Sequence, residues 1–164
     1  MADHVDRIVE QWGRQRPDLD VSPMEVFGRL SRATRLAKAE MGRTFAEHGL
    51  DGPSFDMLAT LRRSDPPHRL TPAELMRASM VTSGAISQRL DKLETRGLVT
   101  RTRGEADARN VYVGLTDAGR ALIDAALPDH LATEERMLAP LDATQREALA
   151  TGLRLLLASL GDAD

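Results

Sequence analysis

The sequence predicts a mainly α-helical protein that carries one small β-hairpin. Apolar residues recur three and four positions apart along most of the chain, which is the spacing of an amphipathic helix. Aromatic residues make up only 3% of the chain, which is low for an aromatic-rich β-sandwich. The period changes to two only around residues 98–103 and 110–115, where the hairpin is expected. With 164 residues and no internal repeat or flexible linker, residues 1–164 are expected to fold as one domain.

The first expected helix runs from Asp3 to Gln15 and is closed by Arg16-Pro17, since the residue before a proline disfavours helix. Its apolar side holds Val5, Ile8, Val9 and Trp12. Residues 1–20 are therefore expected to form a separate N-terminal helix.

A long second helix is predicted to begin with the segment Ser22-Pro23-Met24-Glu25. Ser followed three residues later by Glu is a capping box, and Pro is favoured at the first helical position. The helix ends at Gly49, and its apolar stripe consists of Val26, Leu30, Ala33, Ala37 and Met41. A third helix begins at Asp51-Gly52-Pro53 and is ended by residues 64–67.

Two further helices and the hairpin follow between residues 71 and 116. The segment Thr71-Pro72-Ala73-Glu74 is a second capping box and opens a short helix over residues 72–78. Thr82 can cap the next helix, which runs to Arg96 and is ended by Gly97. The expected core residues are Leu75, with Met76 and Met80 as further candidates, in the first helix, and Ile86, Leu90 and Leu93 in the second.

Two helices are predicted after the hairpin. The first follows Thr116 and carries Leu122, Ala125, Leu127 and Leu131. The second follows a capping box at residues 142–145, and its stripe is Leu149, Leu153, Leu156 and Leu160. Such a stripe needs a surface to cover it, either within the chain or on a second copy of it.

Charge is unevenly distributed along the chain. The formal net charge is -3, yet residues 26–116 hold 15 bases against 10 acids, while residues 1–25 and 117–164 are acidic. A basic middle region between acidic ends suits phosphate binding in one place and solubility elsewhere. An excess this small is also compatible with chance.

Several classes of function are disfavoured by composition. The chain has no Cys, which removes disulfides, thiolate catalysis and Cys-ligated zinc. Its four His residues share no metal-ligand spacing, and we find no Gly-rich phosphate loop or paired carboxylates, so neither an enzyme nor a metal or cofactor site is expected. No apolar run is long enough to cross a membrane, and we expect a soluble, cytoplasmic protein without a membrane partner.

The order short helix, turn, second helix and hairpin is that of a winged helix-turn-helix, in which the second helix enters the major groove of DNA. The second helix offers hydroxyl and amide groups that can reach phosphates or base edges, and the hairpin adds three guanidinium groups. The expected DNA contacts are Thr82, Ser83, Ser87 and Gln88 on the helix and Arg101, Arg103 and Arg109 on the hairpin. Double-stranded DNA is thus the expected partner.

The same region resembles a known family. The run TSGAISQRLDKLETRGLV at residues 82–99, the triplet Asp107-Ala108-Arg109 and the run VGLTDAG at residues 113–119 are similar to the multiple antibiotic resistance regulator (MarR) family of bacterial repressors. The resemblance implies a homodimer that binds a palindromic operator, with residues 21–50 and 117–164 as dimerisation helices around a winged helix-turn-helix at residues 51–116.

The N-terminus resembles a narrower branch of that family, which carries an extra first helix and responds to urate or related anionic metabolites. In that branch the effector pocket combines a Trp, an Asp and an Arg, and the matching positions here are Trp12, Asp56 and Arg89. A further pocket position, usually Asn in urate-binding members, falls on Ser64, so urate, aconitate- or citrate-like acids, purines and phenolics all stay open. The same residues also have plain alternatives: a core contact for Trp12, solvent exposure for Asp56, and a phosphate contact or an ion pair with a neighbouring acid for Arg89.

The expected function is therefore a ligand-responsive transcriptional repressor that acts as a homodimer. The alternative is a winged-helix DNA-binding protein without effector control, acting as an activator or as a constitutive regulator.

Overall fold

A computed structural model of the protein describes residues 2–80, 86–103 and 110–162. Within these ranges the elements are α1 (His4–Gln15), α2 (Pro23–Glu47), α3 (Gly52–Arg63), β1 (Arg69–Leu70), α4 (Pro72–Ala78), α5 (Ile86–Thr95), β2 (Val99–Arg103), β3 (Val111–Leu115), α6 (Asp117–Leu138) and α7 (Ala143–Ser159). The predicted fold class, mainly helical with a small antiparallel hairpin, is confirmed.

Two of the predicted capping boxes are confirmed. The Thr71 hydroxyl accepts from the backbone N–H of Glu74, whose carboxylate accepts from the N–H of Thr71 at 2.8 Å. Asp142 and Gln145 exchange the same pair of bonds at the start of α7. In each box two backbone donors that the helix leaves without partners are satisfied, which fixes where the helix begins.

The predicted capping box at Ser22 is wrong. Ser22 has helical backbone angles, with φ -56° and ψ -32°, and its side chain makes no capping hydrogen bond. An N-cap residue needs an extended backbone to turn its side chain towards the first N–H groups, so Ser22 cannot play that role. Its own N–H instead donates to the carboxylate of Asp20 at 2.9 Å, one turn before α2.

The hydrophobic core lies between α3, α4, α5, the sheet and the first half of α6. Leu75 of α4 and the predicted inward residues of α5 belong to it. The other members are led by Met57, Leu58, Leu61, Val113 and Ile123, all completely buried. This packing fixes the position of α5 relative to the sheet and to α3.

The expected burial of Met76 and Met80 is wrong. Because α4 has only two turns, it presents a single position, Leu75, to the core, and Met76 points away from it. Met80 lies beyond the end of α4 with its side chain 91% exposed. Among the described residues, the chain that follows α4 thus ends with an exposed side chain at Met80.

The sheet has three strands in the order β1-β3-β2, all antiparallel. The predicted hairpin is confirmed and pairs Val99 with Leu115 and Arg103 with Val111. Strand β1 was not expected, because two residues are too few to show a period of two. It pairs Arg69 with Gly114 and so ties the segment before α4 to the hairpin.

Helix α6 carries apolar residues on two faces, and only one of them can meet α2 and α3. Ile123, Ala126 and Thr133 are turned into the protein. Of the leucines predicted on this helix, Leu122 packs against the core, while Leu127 and Leu131 are exposed. The second apolar face remains on the surface of the chain.

Helix α7 is described throughout, and none of its residues is buried. Leu149 and Leu160 of the predicted stripe are 47% and 69% exposed. Leu149 borders an open groove of about 650 Å³ between α2, α6 and α7, whose other apolar lining residues include Leu36, Met41, Met137 and Leu138. Leu153 and Leu156 are partly buried, so the stripe is only partly covered within the chain.

Helix α1 is attached to α2 by one apolar and two charged contacts. Val5 is buried against Gly28, and a β-carbon at Gly28 would lie 3.0 Å from a methyl group of Val5. Arg29 pairs with Asp3 at 2.9 Å and with Asp6. Among the described helices we find none that is long and apolar enough to cross a membrane.

Candidate nucleic-acid interface and effector site

The outward face of α5 carries the groups that the sequence analysis assigned to DNA reading. Ser87 and Gln88 are exposed, while Ile86, Leu90 and Leu93 hold the opposite face in the core. Thr82 and Ser83, the other two expected helix contacts, lie outside the described residues. A hydroxyl and an amide on a rigid, solvent-facing helix can bond phosphates or the edges of bases.

The wing arginines differ in their surroundings. Arg101 and Arg103 lie two residues apart on β2, so their side chains leave the same face of the sheet. Arg103 is exposed at the end of β2, whereas the guanidinium of Arg101 donates to Glu94 and to Asp91 of α5, at 2.7 Å each. Arg109, expected at the tip of the hairpin, lies outside the described residues. The acids that engage Arg101 were not identified from the sequence, although they lie one turn apart on α5.

Side chains of helix α3 contact the end of α4 and the residue two positions beyond it. The Asp56 carboxylate accepts from the backbone N–H of Met80 at 2.7 Å, and Arg63 donates to the backbone carbonyl of Ala78 at 2.7 Å. Both are charge-assisted hydrogen bonds to backbone groups at the end of α4. Nothing in the sequence context of Arg63 indicates this contact.

Arg89 of α5 faces the beginning of α3. Its guanidinium lies 3.9 Å from the Asp51 carboxylate, which also accepts from the backbone N–H of Ser54 and so caps α3. Burial acts to raise the pKa of Asp51, but the hydrogen bonds from Ser54 and the charges of Arg89 and Lys92 outweigh it and leave the pKa below its usual value. Asp51 is thus an ionised partner for Arg89, and the sequence alone did not identify which acid this would be.

The three residues assigned to the effector pocket are not joined in this structure. Trp12 is 45% exposed and lines a surface depression with Gln11, Arg14 and Gln15, all from α1. Among the hydrogen bonds, ion pairs and aromatic contacts of the described residues, none connects Trp12 with Asp56 or Arg89. Asp56 and Arg89 are both associated with α3: Asp56 lies in its second turn, and Arg89 contacts its start.

Ser64 ends α3. Its hydroxyl donates to the carbonyl of Leu61 at 2.8 Å, and its own carbonyl lies 2.6 Å from Nδ1 of His68. These bonds occupy the polar groups of Ser64 within the chain. Across the described residues, no cluster of three His, Cys, Asp or Glu side chains is arranged to hold a metal ion.

Comparisons with known proteins agree with this arrangement. A family model described as MarR family matches residues 48–110, which include α3, α4, α5 and β2. The HTH-type transcriptional regulator PecS of Dickeya dadantii is 39% identical over 93% of this chain and 90% of its own length.

Two solved structures share the fold. Sco3205, a MarR family transcriptional regulator of Streptomyces coelicolor solved in complex with DNA, superimposes with a TM-score of 0.78 at 24% identity, covering 87% of this chain and 93% of that one. BpsR of Bordetella bronchiseptica, whose DNA binding is regulated by 6-hydroxynicotinic acid, gives a TM-score of 0.72 at 25% identity, covering 85% of this chain and 94% of its own. The winged helix-turn-helix around α5 and the extended match to PecS together lead to one assignment: this chain belongs to the MarR family of DNA-binding transcriptional regulators.

Proposed function

We propose that the protein is a repressor that binds a palindromic operator as a homodimer and leaves it when a small anionic metabolite binds. The observation that carries the effector part is the hydrogen bond from the Met80 N–H to the Asp56 carboxylate, because it makes the entry to the DNA-reading helix depend on a charged group of α3. Arg89 adds a direct charged link between α5 and α3.

Homodimerisation is supported by the uncovered apolar surface of α6 and α7. A 17-residue helix with no buried residue, beside a groove lined with Leu and Met side chains, leaves a large apolar area in water. A second copy of the same chain would cover that area on both partners at once, as a twofold interface does. Two copies of α5 would then read two related half-sites.

The two charged links suggest how an anion could act on DNA binding. An anion that pairs with Arg89 competes with Asp51 for the guanidinium, and one that approaches Asp56 repels its carboxylate. Either event changes the free energy of the DNA-binding position of α5 relative to the other positions that this helix can take. A coupling of about 1 to 3 kcal/mol, which is typical of allosteric proteins, corresponds to about 5- to 150-fold weaker operator binding.

Titration of anions into an operator complex tests this proposal. The probes are urate, citrate, cis-aconitate, salicylate and 6-hydroxynicotinate, and the operator is the duplex that the wild-type protein enriches most from a randomised pool. We expect one of them to release the duplex in a fluorescence-anisotropy titration, with an operator affinity lowered about 5- to 150-fold at saturation.

Two variants of Asp56 locate the response. Asp56→Asn keeps an oxygen that can accept from the Met80 N–H but removes the negative charge. The anion should therefore lower the operator affinity of this variant by a smaller factor than it lowers the affinity of the wild type. Asp56→Ala removes the acceptor and should weaken operator binding without any effector. Release by the same anion in wild type and Asp56→Asn, with equal fold-change, would show that the response does not pass through this carboxylate.

The second candidate is a winged-helix regulator without effector control. The exposure of Trp12 and its separation from Asp56 and Arg89 in the contacts of the described residues favour this candidate. It predicts an operator affinity that stays within about twofold of its starting value for every anion of the panel.

A further inference from the structure

Arg101 connects the wing to the DNA-reading helix. Its Nη1 donates to Oε2 of Glu94 and its Nη2 to Oδ1 of Asp91, at 2.7 Å each. Because the guanidinium is planar and rigid, two carboxylates held by its two terminal nitrogens fix its orientation as well as its position. The Arg101 side chain is only 28% exposed in consequence.

The backbone around this contact allows it to set the orientation of the wing. Arg101 lies in the middle of β2, opposite the completely buried Val113 of β3. The chain turns from α5 into β2 at Gly97, whose φ of +68° is a conformation that suits glycine. The strand is thus fixed to α5 at this turn and again at Arg101, and two fixed points determine the angle between wing and helix.

We propose that Arg101 is a positioning residue for DNA binding, which holds the wing at a set angle to α5 through Asp91 and Glu94. This role differs from the direct DNA contact expected from the sequence, since each terminal nitrogen of Arg101 already donates to an acid of the same chain. Of the two described wing arginines, Arg103, exposed two residues further along β2, is the one that faces the phosphates. The proposal goes beyond the effector-controlled function and does not depend on it.

A double-mutant cycle separates positioning from phosphate contact. Asp91→Ala/Glu94→Ala removes two negative charges from each chain near the DNA-reading surface. Electrostatics alone would then strengthen DNA binding, because fewer acids repel the phosphates. If the acids position Arg101, the same variant should instead bind more weakly, since the wing loses its orientation.

The measurement is the affinity for the duplex that the wild-type protein enriches from a randomised pool, by fluorescence anisotropy at several salt concentrations. We expect Asp91→Ala/Glu94→Ala and Arg101→Ala each to weaken binding about tenfold, and the triple variant to lose little more than either, because all three remove one arrangement. Arg101→Lys should lose less than Arg101→Ala, since a single ammonium can still pair with one acid.

Control variants and direct measurements show whether the loss of DNA affinity arises in the wing. Glu147→Gln, which removes an exposed acid of α7, should leave the affinity nearly unchanged, and Arg103→Ala should flatten the salt dependence of binding. Circular dichroism and thermal midpoints are used to check that each variant folds. Hydrogen exchange of the β2 and β3 amides measures how firmly the wing is held. Tighter or unchanged binding by Asp91→Ala/Glu94→Ala, or additive losses in the triple variant, would overturn the proposal.

Discussion

The variant Leu149→Glu/Leu160→Glu is expected to be a folded monomer that no longer binds an operator at working concentrations. Both leucines are about half-exposed or more within the chain, so a carboxylate at either position meets solvent in the monomer. In the proposed dimer the same carboxylates would be buried against the partner. A buried unpaired charge is far more costly than the loss of an apolar contact.

The size of this effect follows from the apolar contact alone. Complete burial of one leucine side chain is worth about 1.5 to 3 kcal/mol. Because Leu149 and Leu160 are already partly buried in the single chain, two from each chain contribute about 3 to 7 kcal/mol to the dimer. That energy corresponds to an increase of about 10² to 10⁵-fold in the dissociation constant of the dimer. Loss of the second α5 should weaken operator binding by a further factor of about 10² or more, because the two half-sites are no longer bound together.

Sedimentation equilibrium and anisotropy titrations measure both quantities. Thr151→Glu is the matched control, since it adds the same charge to the opposite side of α7 and should remain dimeric. A double variant that sediments as a dimer would show that the stripe is covered in some other way. A wild-type protein that sediments as a monomer would remove the homodimer from the account.

Gly119→Ala is expected to destabilise the protein by at least about 3 kcal/mol, and the variant is expected to accumulate poorly. A β-carbon at Gly119 would lie 1.9 Å from the backbone oxygen of Leu98 and 2.9 Å from its carbonyl carbon. Both obstacles are backbone atoms, which cannot rotate out of the way. The first turn of α6 would have to move away from Leu98, which directly precedes β2 and whose oxygen now accepts from the Thr116 N–H at 3.1 Å.

This contact also matters for function, because it joins the wing to the helix that leads into the proposed dimer interface. Urea denaturation followed by circular dichroism measures the loss of stability. Gly42→Ala is the control, since a β-carbon there meets nothing within 4 Å in the chain and should stabilise α2 by about 0.5 to 1 kcal/mol. Equal stability of Gly119→Ala and wild type would mean that α6 does not approach Leu98 this closely.

The parts of the fold that local physics determines were predictable from the sequence. The capping boxes at Thr71 and Asp142 place helix starts because the interactions span only three residues. The core face of α5 followed from its spacing of apolar residues, and the hairpin from the change of period. Ser22 failed because the same pair of residue types occurs where the backbone is already helical.

The long-range contacts were not predictable from one sequence. Nothing local indicates that Asp56 accepts from the Met80 N–H, or that Arg63 donates to Ala78, because partners 15 to 24 residues apart meet only after α3 and α4 pack. The ion pairs of Arg101 depend likewise on how the wing folds back onto α5. The DNA contacts and effector contacts assigned to residues from the sequence stay predictions. Among these residues, Trp12 has the surroundings that support its predicted role least.

Selection of bound duplexes from a randomised pool shows whether two copies of α5 read a twofold-symmetric operator. We expect enrichment of an inverted repeat whose half-site centres lie about 10 base pairs apart, or a multiple of that distance. We also expect Gln88→Ala to relax the preference at one symmetric pair of positions. Enrichment of a single asymmetric site, or of no sequence at all, would contradict the proposed twofold reading.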